Sequence, residues 1–195
     1  MKHCPKRAEV GGFDIEDVEA HDKWLIDVWN KTISKKDIVY IIGDFAFGNP
    51  DDIKKHLLPK LNGHKYLILG NHDKSSQNIK GYFTQITQMK EVTFKKKNFP
   101  FLEEDFRVFM CHYPMITWNA KHYGVVQAMG HSHGSLDQFN EESTDLRVDV
   151  GIDGTLADFK PISLEQLYRY FKKKTDGLPF LDYVQMQKDL KTTQF

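Results

Sequence analysis

Five short apolar runs recur along this 195-residue chain, and they constrain its fold more than any other feature of the sequence. Each run spans four or five residues and is followed by turn-forming residues, a pattern typical of strands buried in a sheet. The runs are Ile38–Ile42, Tyr66–Leu69, Phe106–Met110, Val125–Met129 and Leu146–Val150. Because helical patterns lie between them, the sequence predicts α/β architecture.

Three segments carry helix signals. Apolar positions that step by three and four predict a helix over Ile15–Thr32. Asn49-Pro50 predicts an N-cap and first helical residue, opening a helix that ends at Leu58. Ser163-Leu164-Glu165-Gln166 fits a capping box at the start of a third helix. The tail from about residue 175 is either a helix or a loosely attached arm, and without repeats or linkers we expect one domain over residues 1–195.

Composition excludes some classes of function. Lysine plus arginine is 27 and aspartate plus glutamate is 27, so the formal charge is zero. A neutral chain does not fit a protein that binds long nucleic acid mainly by neutralising phosphates. The apolar runs are far shorter than the ~20 residues of a membrane span, and no export signal is visible. We therefore expect a soluble cytoplasmic protein without a membrane partner, whose Cys4 and Cys111 are reduced thiols.

Metal-type ligands follow directly after four of the five runs. The clusters are Gly43-Asp44, Gly70-Asn71-His72-Asp73, Cys111-His112-Tyr113-Pro114 and Gly130-His131-Ser132-His133-Gly134. In open α/β sheets, ligands bind beyond the carboxyl ends of the strands, so these clusters are expected to converge on one cleft. Imidazole, carboxylate and amide groups together favour a divalent transition metal.

Each of these residues also has a purely structural interpretation. Asp44 is a possible turn cap, Asn71 a possible left-handed turn residue, and His112 a possible core histidine. Four coincidences at four strand ends favour the metal site over these alternatives. The remaining histidines have no other metal-binding residue types beside them in the sequence. We expect them to lie on the surface or to pack against neighbouring residues: His3, His21, His56, His64 and His122.

The ordered set of four clusters resembles the calcineurin-like metallophosphoesterase superfamily, and Gly43–Gly48 resembles its small bacterial and phage members. The resemblance covers about residues 15–168. It implies a four-layer α/β/β/α sandwich with two mixed sheets, and a two-metal phosphoester hydrolase. By motif, Asp44 would bridge two ions, Asn71, His112 and His131 would complete one metal position, and His133 would serve the other. His72 would be the catalytic histidine near the leaving group.

The family normally opens with a strand that ends in Asp-x-His, and none of the nine histidines here follows an aspartate at that spacing. We therefore expect the first strand to be missing, one metal to bind well and a second weakly. A start placed too late, a shortened chain and genuine divergence are the competing explanations, and the first two together are favoured.

The resemblance implies hydrolysis of a small, nucleotide-like phosphomono- or phosphodiester through a metal-bound hydroxide, with manganese favoured over iron, zinc or nickel. We also expect the absence of the two Asp-x-His ligands to impair this activity. The alternative is a scaffold protein with a residual metal site, like the retromer subunit of this fold. In the loop Thr117–Gly124, the residues Trp118, His122 and Tyr123 either stack on a substrate or serve packing. Oligomeric state is left open.

Overall fold

Seven strands form two sheets in the part of the chain that the computed structural model describes, residues 5–73 and 81–192. The first sheet is parallel and has the order β1-β2-β3, and the second has the order β4-β5-β6-β7. In the second sheet, β4 and β5 are antiparallel and the other pairs are parallel. The strands are β1 (Ile38–Ile42), β2 (His64–Ile68), β3 (Gln85–Thr87), β4 (Met89–Phe94), β5 (Phe106–Cys111), β6 (Val126–Met129) and β7 (Arg147–Asp149).

Helices fill the segments between and after the strands. They are α1 (Pro5–Gly11), α2 (Val18–Thr32), α3 (Pro50–Asp52), α4 (Asp137–Glu142), α5 (Leu164–Lys174) and α6 (Phe180–Thr192). The fold class predicted from the sequence, an α/β sandwich of two sheets, is confirmed. Within the described ranges, no helix is both long and apolar enough to cross a membrane.

The main core joins the second sheet to α5 and α6. Phe106 of β5 and Phe171 of α5 are fully buried in it, and Phe180 of α6 is 2% exposed. Burial of one such ring stabilises the fold by about 1.5–3 kcal/mol. The segment after Lys174 is therefore a packed helix and not a loose arm.

The two N-terminal helix predictions need correction at their boundaries. The helix predicted from Ile15 begins at Val18, because the Asp17 side chain accepts the backbone N–H of Ala20 at 2.9 Å and caps it there. The helix predicted over Asn49–Leu58 is capped by Asn49 as expected.

That second helix is α-helical for one turn only. It continues as a π-helical turn over Ile53–Leu57 and a 3₁₀ turn over Leu58–Lys60. Pro59 has no N–H and its ring crowds the carbonyl four residues earlier, so a regular α-helix cannot pass through this segment. The capping box at Ser163 is confirmed, with Gln166 as its reciprocal partner.

Candidate metal centre

Four side chains from both sheets meet beyond the carboxyl ends of their strands. Asp44 and Asn71 follow β1 and β2, and His112 and His131 follow β5 and β6. His112 Nε2 lies 3.1 Å from Asn71 Oδ1 and 3.2 Å from His131 Nδ1. It lies 3.4 Å from Asp44 Oδ2. We call these four residues the donor cluster.

The orientation of His112 is set by the backbone of the neighbouring sheet. Its Nδ1 lies 3.0 Å from the carbonyl oxygen of Ile42, the last residue of β1. Because a carbonyl only accepts, Nδ1 carries a proton and donates it, so in the neutral imidazole the lone pair is on Nε2. The side chain is 2% exposed, so this tautomer is held in a buried setting.

The donor cluster fits a divalent transition metal. With the Nδ1 proton of His112 committed to Ile42, a nitrogen lone pair faces the acceptor oxygens of Asp44 and Asn71. In the neutral imidazole this arrangement brings acceptor atoms together around one point, where a bound cation would satisfy them jointly. Adjacent ligands of an ion bound at about 2.1 Å lie about 3.0–3.4 Å apart, which agrees with the three distances from His112 Nε2. Mixed imidazole and oxygen donors suit manganese, iron, zinc or nickel.

Two glycines allow the loops to approach this closely. A Cβ on Gly43 would lie 2.2 Å from His112 Nδ1, and one on Gly70 would lie 2.3 Å from Asp44 Oδ1. Real Cβ contacts are never this short, so any side chain at either position would displace a donor.

Strained backbone is concentrated in the same loops. Asp44, His131 and His133 have φ values of 51°, 69° and 48°, in the left-handed region that residues other than glycine rarely adopt. Each such residue costs of order 1–3 kcal/mol, and such conformations cluster at functional sites. The surrounding hydrogen bonds must therefore hold these loops in place.

Asp73 joins the two loops of the first sheet. Its Oδ1 accepts the N–H of Phe45 at 2.8 Å, and its Oδ2 accepts the N–H of Gly70 at 2.9 Å. The residue is 1% exposed. This carboxylate thus fixes the backbone on either side of the donors Asp44 and Asn71.

Asp149 at the end of β7 has the same role for the second sheet. It is fully buried, and its Oδ2 accepts the hydroxyl of Ser132 and the N–H of Gly134. Its Oδ1 accepts the N–H of Gly151 at 2.7 Å. The loop that carries His131 and His133 is therefore anchored to a strand of the core.

His133, predicted as a ligand of a second ion, contacts a carboxylate. Its Nδ1 lies 2.7 Å from Asp153 Oδ2, which leaves Nε2 as the nitrogen able to bind an ion. Arg7 of α1 binds both oxygens of Asp153 at 2.6 Å. Burial alone would raise the pKa of Asp153, but the hydrogen bonds and charges of Arg7 and His133 hold it below its ordinary value. The role of His133 in metal binding stays a prediction.

His72 lies beside the donor cluster with an exposed side chain. Its backbone N–H donates to Asp44 Oδ1 at 2.9 Å. Its imidazole packs against Phe47, with 4.8 Å between the ring centroids. The backbone of His72 is thus anchored to a donor, and its exposed side chain is accessible to a substrate.

The Calcineurin-like phosphoesterase family model matches residues 13–158, a stretch that includes all four members of the donor cluster. The chain belongs to the calcineurin-like phosphoesterase family. Membership implies metal-dependent hydrolysis of phosphoesters as the general reaction, without specifying a substrate. Members of the family generally use divalent metals.

Relatives in sequence and structure agree with this assignment. The uncharacterized protein MJ1445 of Methanocaldococcus jannaschii is 27% identical over 161 residues, 80% of this chain and 78% of that protein. The gene 66 protein of Mycobacterium phage L5 is 41% identical over 61 residues, 30% of this chain and 29% of that protein. The crystal structure of AQ665, a protein of unknown function from Aquifex aeolicus, has the same fold: the TM-score is 0.58 at 21% identity, covering 88% of this chain and 91% of that one.

Sequence reasoning missed three residues around the site of this family member. Asp149 and Asp153 lie within or just after the last predicted strand, a position that could have marked them as carboxylates at a strand end. Arg7 gave no such signal, because its partner lies 146 residues away in the chain.

Other residues singled out from the sequence serve packing or lie elsewhere. Trp118 is 6% exposed and donates its indole N–H to the carbonyl of Val125 at 2.8 Å, so it is a packing residue. Cys111 is a buried free thiol. His3 and Cys4 lie outside the described residues.

Proposed function

We propose that this protein hydrolyses a small, nucleotide-like phosphomono- or phosphodiester with a divalent transition metal, manganese being preferred. The observation that carries the proposal is the convergence of acceptor atoms around His112 Nε2, between 3.1 and 3.4 Å away. The formal charge of zero supports a small substrate over long nucleic acid. We also propose a cytoplasmic location.

The donor cluster would hold one ion well. A second ion would share Asp44 with His133 and bind more weakly, because two protein ligands hold a divalent ion poorly. The contact between His133 and Asp153 supports this role, since a carboxylate on Nδ1 orients Nε2 and makes it more basic.

The chemistry divides between the ion and His72. A bound divalent ion supplies positive charge to the phosphoryl oxygens and lowers the pKa of the attacking water. The imidazole of His72 would donate a proton to the leaving oxygen, a contribution of about 10²–10⁴-fold to the rate. The hydrogen bond from the His72 backbone to Asp44 supports this role, because it fixes the main chain of His72 beside a member of the donor cluster.

Hydrolysis of 4-nitrophenyl phosphate and bis(4-nitrophenyl) phosphate with added manganese tests the proposal, together with an elemental count of bound metal. In His72→Ala we expect turnover to fall about 10²–10⁴-fold while bound manganese is unchanged. His64→Ala is the matched control, because His64 is an exposed histidine at the opposite end of β2. It should match the wild type in both measurements.

Two results would contradict the proposal. Bound metal without turnover on either ester would favour the scaffold interpretation. Equal loss of metal and turnover in His72→Ala would make His72 a metal ligand and remove its assignment to the leaving group.

A further inference from the structure

Phe47 is a large aromatic side chain that the fold leaves in water beside the donor cluster. It is 72% exposed, the highest value among the aromatic residues of the described ranges. Phe45, two residues earlier, packs into a core cluster and meets Phe83 edge-on at 5.4 Å. The same loop thus partly buries one phenyl ring and exposes the other to solvent.

The position of Phe47 distinguishes it from an ordinary exposed hydrophobic residue. Single exposed hydrophobic side chains are common and need no explanation in themselves. The ring of Phe47, however, contacts the imidazole of His72, and the His72 backbone binds the donor Asp44. A substrate whose phosphate meets the donors would therefore extend past this ring.

The other aromatic residues near the loops are less suited to contact a substrate. Tyr113 is less exposed than Phe47, at 45%, and its ring packs on two donors, His112 and His131, with centroid distances of 5.1 and 4.9 Å. Trp118 is buried. Tyr123 is exposed and stacks on His122 at 4.3 Å, but neither of these belongs to the donor cluster.

We propose that Phe47 stacks on the planar base of a nucleotide substrate and so makes the enzyme selective for nucleoside phosphates over esters that lack a base. The inference rests on the proposed phosphoesterase function. Every nucleobase has a π-face, so a single ring at this position would favour nucleotides without reading which base is present.

The test compares two ligands that differ only in the base, AMP and ribose 5-phosphate. Binding of each to the manganese-loaded protein is measured by calorimetry, and initial phosphate release from each is measured alongside. In the wild type we expect AMP to bind at least about five-fold more tightly, the lower end of what stacking on one aromatic residue contributes. Phe47→Ala should abolish this preference, and Phe47→Tyr should keep it because the planar ring remains.

Tyr123→Ala is the matched control, because Tyr123 is also an exposed aromatic residue whose ring contacts a histidine, but it lies in another loop. It should retain the preference for AMP. Equal affinity for the two ligands in the wild type, or a preference that survives in Phe47→Ala, would overturn the stacking role. Failure of the manganese-loaded wild type to bind either ligand while it still cleaves a nitrophenyl ester would also overturn the stacking role alone. Failure on the nitrophenyl esters as well would instead count against the proposed function.

Discussion

His112 donates Nδ1–H to the carbonyl oxygen of Ile42 across 3.0 Å, so the end of one sheet orients a donor from the other. This bond fixes the tautomer of His112, and its Nε2 lone pair then faces the oxygens of Asp44 and Asn71. The geometry of the metal site is therefore built into the contact between the two sheets.

Gly70→Ala should disable the donor cluster without unfolding the protein. The added methyl group would lie 2.3 Å from Asp44 Oδ1 and 2.5 Å from Asp44 N, so Asp44 must move. We expect manganese affinity to fall by about ten-fold or more, as for other changes that disturb the support of a ligand. Gly81→Ala is the control, since its Cβ meets nothing within 4 Å. Equal manganese affinity in the two variants would show that Asp44 is not held by this close approach.

Asp73→Asn should weaken both the fold and the site. The amide keeps one acceptor oxygen and turns an NH₂ group towards a backbone N–H, so a buried donor loses its partner. We expect the free energy of unfolding to fall by about 1–3 kcal/mol and manganese affinity by about 10–100-fold. Urea denaturation and manganese titration measure the two effects. Asp27→Asn, on the exposed face of α2, should change neither.

Ser163→Ala should destabilise the fold without affecting metal binding. The Ser163 hydroxyl accepts the N–H of Gln166 at 3.1 Å, and the Gln166 side chain accepts the N–H of Ser163 at 2.9 Å. Loss of this cap should lower the free energy of unfolding by about 1 kcal/mol, because the N–H of Gln166 then loses its acceptor within the protein. Ser135→Ala, at an exposed position, serves as the control. A change in manganese affinity in Ser163→Ala would contradict the separation of this helix from the site.

Glu91 should make stability depend on pH. Partial burial would raise the pKa of Glu91, but hydrogen bonds from Asn119 and Arg107 and the Arg107 charge hold it below the ordinary 4.5. The ionised form is thus favoured in the folded state, so its stabilising effect is present above pH 4.5 and is lost as the pH falls through the lower folded-state pKa.

Urea titrations of Glu91→Gln and the wild type at several pH values measure this effect. The gap in unfolding free energy between the two proteins should be largest at neutral pH and should narrow below pH 4.5. Glu165→Gln removes a more exposed pair with Arg169 and should give a smaller gap. A gap that stays constant across this range would show that the Glu91 contacts are not electrostatic.

The sequence predicted five of the seven strands and missed β3 and β4, which both lie at sheet edges. Phe106–Cys111 is apolar apart from Arg107 and almost wholly buried, and such an apolar run marks a strand inside a sheet. Met89–Phe94 lies at the edge of the second sheet and carries Lys90 and Glu91, so it breaks the apolar-run criterion. The alternation of polar and apolar residues over Glu91–Phe94 is the only strand signal it offers, and it is short. The helix Phe180–Thr192 was left open because exposed apolar residues such as Leu181 blur its periodicity.

The donor cluster was predictable because its members stand directly after predicted strands. Parallel strands bring their carboxyl ends to one edge, so Asp44 and Asn71 had to meet, as did His112 and His131. The contacts that support these donors were harder to predict from the sequence. The contact between His133 and Asp153, for example, depends on left-handed backbone at His133, which the sequence does not reveal.

Manganese titration of the wild type and His112→Gln tests the central claim most directly, with bound ions counted per chain. The wild type should bind one ion tightly and a second weakly, and His112→Gln should lose the tight ion while its circular dichroism stays native. Tight binding that survives His112→Gln, or no tight binding in the wild type, would contradict the assignment of the donor cluster as a metal centre.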